Sequence, residues 1–109
     1  MKALSLLGFA QAAGQLVSGY NGCLAVLRRR RANLVVLATD ASPGTQETFL
    51  RAAREIPVII FANKEALGNA IGKPPTAVLC VQNPQMAQAI KEAVNMNIAE
   101  AEGAHGEVR

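Results

Sequence analysis

The stretch Leu16 to Ser42, LVSGYNGCLAVLRRRRANLVVLATDAS, decides the reading of this chain. Leu16-Val17 is a very short strand that runs into the glycine-punctuated turn Ser18-Gly19-Tyr20-Asn21-Gly22. Ser18 or Gly19 caps the helix that follows. Its apolar face is Cys23, Leu24, Val26 and Leu27, and it ends in Arg28 to Arg31. Leu34 to Ala38 is a continuous, aliphatic, β-branched run, the pattern of a strand covered on both faces. It leads into the turn Thr39-Asp40-Ala41-Ser42-Pro43-Gly44. Two loops thus flank one helix and one strand, with four arginines beside them. That layout suits holding an anionic partner better than bond chemistry.

Outward from this stretch, strands and helices keep alternating. Upstream, Lys2 and the apolar run after it resemble a short signal peptide. Ser5 and Gly8 interrupt the run, however, so the expected element is an amphipathic helix with Leu6, Phe9, Ala10 and Ala13 on one face. Downstream, Ser42-Pro43 caps a helix that presents Phe49, Leu50 and Ala53. Pro57 precedes a second buried strand, Val58 to Phe61, and Asn63 caps the short unit KEALGNAI, which Gly72 ends. Pro74-Pro75 makes a rigid loop into the strand Thr76 to Val81, and Asn83-Pro84 starts the last helix, with Met86, Ile90 and Val94 along one face. Beyond Ile98 the sequence is polar and glycine-broken, and a disordered tail is expected there. Alternating strands and helices imply an α/β/α sandwich whose strand-end loops gather at one rim. Residues 1–94 are read as one domain and 95–109 as a helix end and acidic tail.

Half of the 109 residues are apolar and 17% are charged, as in globular proteins, and with 4% aromatics the core must be aliphatic. A chain of this length buries roughly 65% of its unfolded surface without staples. The net charge of +3 is uneven, since residues 1–94 carry +5 and the tail −2. A basic body favours nucleic acid or an acidic surface as partner. No run reaches the length of a membrane span. Cys23 and Cys80 lie far apart with no CxxC spacing, so a reduced pair in the cytoplasm is expected.

Catalytic chemistry has few candidates here. His105 is the one histidine, and it falls in the tail, so zinc sites, triads and Cys-His dyads are not expected. Asp40 follows a strand end, but bracing the turn before Pro43 accounts for it. The chain is therefore read as a non-enzyme with no cofactor and no metal. Gly19 to Gly22 at a helix start could cradle a phosphate with backbone N–H groups, though it matches no Walker or dinucleotide fingerprint. Asn21, Lys64, Lys73 and the arginines are expected to converge on the same rim. Cations in a last helical turn favour the dipole, but four in a row exceed that need, so Arg28 and Arg31 are expected to contact phosphate.

Three strings carry a resemblance to a known family: LLGFAQAAGQLVSGYNG (6–22), ANLVVLATDAS (32–42) and KEALGNAIGKPP (64–75). Together they resemble the superfamily of ribosomal proteins that bind kink-turn RNA, and are most similar to its small bacterial YlxQ-like branch. The match runs from Leu6 to about Ala89. The resemblance implies a three-layer α/β/α domain with a four-stranded mixed sheet and an RNA-binding, non-catalytic activity. In that family RNA is gripped at the start of the second helix by a Gly-x-Asn-Glu signature and a lysine three residues beyond the Glu, and a later apolar loop covers a flipped base. Gly19 and Asn21 stand at the signature's Gly and Asn. Gly22 stands in place of the Glu and Ala25 in place of the lysine, and the later loop corresponds to Gly72-Lys73-Pro74-Pro75.

The expected function is a small cytoplasmic protein that recognises structured RNA, kink-turn-like RNA and ribosomal RNA included, through Gly19, Tyr20, Asn21, Gly22, Arg28, Arg31, Lys64, Lys73 and Pro74. Strict kink-turn affinity is expected to be poor without the Glu and the lysine. The alternative is a protein–protein or dimerisation module on the same scaffold that binds no RNA. No membrane partner is expected.

Overall fold

Two strands buried on both faces form the middle of the molecule. In the computed structural model, which describes the backbone of residues 2–105 and the side chains of residues 2–96, β2 (Leu34–Leu37) pairs antiparallel with β4 (Val78–Val81). All eight residues are buried. Apolar side chains on both pleat faces demand cover on both sides, and the remaining elements provide it.

The chain runs α1 (Lys2–Ala12), β1 (Leu16–Ser18), α2 (Tyr20–Arg28), β2, α3 (Pro43–Ala53), β3 (Val58–Ile60), α4 (Lys64–Ala70), β4 and α5 (Pro84–His105). The sheet order is β1-β4-β2-β3, with β2 and β3 parallel and β4 antiparallel to both of its neighbours. Leu34, Val36, Leu79 and Val81 face one layer, where Ala3, Leu7 and Ala10 of α1, Leu67 of α4 and Ile90 of α5 cover them. Val35, Leu37, Val78 and Cys80 face the other, against Cys23, Val26 and Leu27 of α2 and Phe49 and Ala53 of α3. This is the three-layer α/β/α architecture that the alternation of elements implies, with the four-stranded mixed sheet that the family resemblance implies.

Several local expectations are corrected. α1 buries Ala3, Leu7 and Ala10 and leaves Phe9 63% exposed, because the face of α1 that meets α4, α5 and the sheet is the one carrying Ala3, Leu7 and Ala10. Leu50 is likewise exposed, with Phe49 and Ala53 filling the core face of α3. β3 is half-buried to exposed, since it is an edge strand, and β4 begins at Val78 because Thr76 is tied to the preceding loop. The backbone of α5 runs to His105. Residues 106–109 of the expected tail lie outside the described residues.

Gly68 shows how tightly the rim loop is held. Gly68 O accepts hydrogen bonds from Ile71 N (3.1 Å) and Lys73 N (2.9 Å), and Thr76 N donates to Lys64 O at 3.0 Å. A Cβ at Gly68 would run into the carbonyls of Pro74 and Lys73. The obstacle is backbone, so it has no rotamer into which to retreat.

Cys23 and Cys80 are free, buried thiols packed together in the α2/α3 layer. The Cys23 thiol lies 3.4 Å from Val17 O. The neighbouring Cys80 and burial both push the Cys23 thiol above its ordinary range, so it stays protonated and unreactive.

Two stability measurements test this packing. Gly68→Ala should lower unfolding stability by about 2 kcal/mol or more, since overpacking against a fixed backbone lies at the high end of that class. A thiol-reactive dye should label neither cysteine in the native protein and both after denaturation. Native labelling of Cys23 would contradict its burial.

Candidate nucleic-acid interface

The topology decides which loops meet. β1, β2 and β3 run in one direction and β4 in the other. The start of α2, the turn before α3, the start of α4 and the loop entering β4 therefore share one rim. Gly19 N donates to Val78 O at 3.1 Å, which ties the start of α2 to the start of β4. Gly19, Tyr20, Asn21 and Gly22 thus lie beside the segment that carries Lys73 and Pro74.

α2 differs from three of its fellow helices at its N-terminus. Ser42 Oγ accepts from Thr45 N in α3, Asn63 Oδ1 from Ala66 N in α4, and Asn83 Oδ1 from Met86 N in α5. α2 has no side-chain cap. Its first helical bond is Cys23 N to Gly19 O at 3.0 Å, which leaves the N–H groups of Tyr20, Asn21 and Gly22 without intrahelical acceptors. Gly19 itself holds φ 95° and ψ 159°, a region essentially restricted to glycine, so the chain enters the helix with its amides uncovered. Three aligned donors at the positive end of a helix are suited to a phosphate oxygen.

The side chains around these donors take distinct roles. Asn21 is exposed and makes no hydrogen bond among the described residues, so its amide is free to donate and accept toward a ligand. Tyr20 leans away over α3. Its hydroxyl lies 3.4 Å from Thr48 Oγ1 and its ring meets Phe49 edge-on, with centroids 5.2 Å apart. Lys64 is half-buried at the start of α4, whereas Lys73, Pro74 and Pro75 are exposed. Neither lysine has a salt-bridge partner among the described residues.

Three supporting residues lie outside the set that the sequence singles out as the site. Asp40 Oδ1 accepts from Lys64 N at 2.8 Å, bracing the start of α4 from the β2–α3 turn. Its position just past a strand end marks it in the sequence, but the partner is 24 residues away. Gly68 fixes the Lys73–Pro74 loop. Val17 limits Gly22: a Cβ there would sit 2.9 Å from Val17 Cγ1, so α2 lies close against β1 at that point.

The arginines do not join this rim. α2 begins at the carboxyl end of β1 and runs back for nine residues, about 14 Å at 1.5 Å per residue, to the opposite end of the sheet. There Asn33 N donates to Val81 O at 2.7 Å, which places Arg28 to Arg31 where β2 begins and β4 ends. The expectation that Arg28 and Arg31 converge with Gly19–Gly22 is corrected by the direction of α2. Among the described residues no cluster of His, Cys, Asp and Glu could hold a metal ion, and no helix is long and apolar enough to cross a membrane.

Comparison with known proteins gives a consistent result. The RNA-binding protein YlxQ of Enterococcus faecium is 30% identical over 95 residues, covering 85% of this chain and 91% of its own length. The protein of the same name from Bacillus subtilis (strain 168) is 30% identical over 92 residues, covering 83% and 92%. A protein of unknown function from Bacillus halodurans superposes with a TM-score of 0.83 at 31% identity, over 86% of this chain and 97% of that one. The Giardia lamblia 15.5kD RNA binding protein gives 0.71 at 26% identity, over 88% and 84%. With its mixed sheet, its helix layers and a family model matching residues 1–91, the chain belongs to the ribosomal protein L7Ae/L30e/S12e/Gadd45 family.

Proposed function

We propose that this protein is a non-catalytic, cytoplasmic RNA-binding protein that holds a folded, kink-turn-like RNA, ribosomal RNA included, at the rim where α2 begins. The observation that carries this reading is the uncapped start of α2, with three free amides and an exposed Asn21 beside the Lys73–Pro74 loop. Relatives named as RNA-binding proteins support it. Phosphate would sit against the amides of Tyr20 to Gly22, with Lys64 and Lys73 adding charge and Pro74 presenting an apolar surface to an unstacked base. The remaining free edge of Tyr20, 45% exposed, borders the same site.

Gly22 and Ala25 define the limits of recognition. A glutamate at position 22 would accept from guanine edges and a lysine at 25 would meet the backbone, and this chain has neither. Recognition therefore rests on shape and on phosphate contacts. If both rim lysines meet phosphate, the slope of log K against log salt should be about −2.

Titration of a kink-turn hairpin and an unkinked duplex of equal length tests this reading. Asn21→Ala should cost about 1–3 kcal/mol of RNA binding, the usual range for an unsatisfied polar group. Gly22→Glu with Ala25→Lys should raise kink-turn affinity at least about tenfold, near 1.4 kcal/mol. Adding Val17→Ala should bring out the full gain by removing the contact that a Cβ at 22 meets. Nanomolar kink-turn binding by the unmodified protein would contradict the roles given to Gly22 and Ala25. Recovery of protein partners with no RNA would instead identify an interaction module.

A further inference from the structure

The opposite end of the α2/α3 layer holds a cleft of about 620 Å³. Its floor is aliphatic, with Leu24 and Leu27 from α2 and Ile56 from the segment entering β3. Arg28 and Arg30 stand on one side, and Arg51 and Arg54 on the other, with Glu55 as the acidic lining residue. Arg51 is paired with Glu47 at 2.9 Å, whereas Arg28, Arg30 and Arg54 have no salt-bridge partner among the described residues.

The backbone makes this more than a solvated end. Three non-glycine residues hold positive φ among the described residues, and two of them, Arg30 (58°) and Arg54 (54°), line this one cleft. Arg30 follows the C-cap of α2, where Arg30 N donates to Leu27 O and Arg31 N to Val26 O. That is the Schellman pattern, whose left-handed position belongs to glycine. Arg54, at φ 54° and ψ −110°, begins the turn closed by Ile56 N to Ala53 O, again a glycine position. Arg28 alone would answer the helix dipole. Arginine at two positions that favour glycine, on facing walls, fits a demand for charge rather than for fold.

We propose that this cleft is a second phosphate-binding face, which grips the backbone of the same RNA beyond the part held at the rim. The proposal rests on the RNA-binding reading and extends it. RNA is favoured over an acidic protein segment by continuity. A polyanion seated at the start of α2 needs only about 14 Å along that helix to reach Arg28. Guanidinium forks suit phosphate oxygens, and the lining has no aromatic platform for a base, so the contact is to backbone and independent of sequence.

The test compares a short hairpin that covers only the rim with the same hairpin lengthened by a helical turn. For the unmodified protein the slope of log K against log salt should steepen from near −2 to between about −3 and −4 on the long RNA. Arg30→Gly with Arg54→Gly should leave thermal stability equal or higher, leave short-hairpin binding unchanged and flatten the long-RNA slope by about one to two units, back toward the short-hairpin value. Arg30→Lys with Arg54→Lys should keep most of the slope. Arg28→Glu, inside the helix and free of backbone effects, should weaken long-RNA binding alone. Equal slopes for wild type and the glycine pair on the long RNA would overturn the second face while leaving the rim reading intact. So would a glycine pair that keeps RNA binding but loses binding of a poly-glutamate peptide. Failure of the wild type to bind either hairpin would instead sink the rim reading and this one together.

Discussion

The insertion of β4 between β1 and β2, antiparallel to both, is the constraint on which the rest depends. Were β4 parallel to its neighbours, the loop carrying Lys73 and Pro74 would lie at the far end of the sheet from Gly19. The reversed strand brings the loop to the carboxyl ends of β1, β2 and β3, and the bond from Gly19 N to Val78 O fixes the junction. The same strand has both faces buried, so its register is held by alternating side chains in two cores. A slip of one residue would exchange those faces.

Stability and binding are divided unevenly among the helix starts. Side chains cap α3, α4 and α5, and each such cap typically contributes about 1 kcal/mol. α2 forgoes that contribution and keeps its first amides open. The loss is offset by the packing of Cys23, Val26 and Leu27, which anchors the helix independently of its terminus. A short helix held by its buried face can leave its end free for a ligand.

α2 also explains how one molecule presents positive potential at both ends of its sheet. At its N-terminus the field comes from backbone dipoles, at its C-terminus from side chains that reverse the negative end of the dipole. The core between them is almost wholly aliphatic, with Phe49 as its one fully buried aromatic among the described residues. Thin aliphatic layers let α2 and α4 approach the sheet and loops so closely that a Cβ at Gly22 would have to displace the Val17 side chain and one at Gly68 would meet backbone carbonyls.

Local chemistry was legible in the sequence where one segment decides it alone. The continuous apolar runs at Leu34 and Val78, the Ser42-Pro43 and Asn63 helix starts and the glycine turn at 19–22 all follow from short-range sterics and hydrogen bonding. The layered α/β/α arrangement follows from their alternation, and family resemblance supplied the mixed sheet. What needed tertiary structure was direction and depth. No residue near Arg28 encodes that α2 carries the arginines away from the rim, since that depends on which end of β1 the helix leaves. Likewise, the exposure of Phe9, the clash waiting at Gly22 and the facing of Arg30 and Arg54 across one cleft depend on distances between segments far apart in the chain. Periodicity fixes which residues share a face, but only packing decides what that face meets.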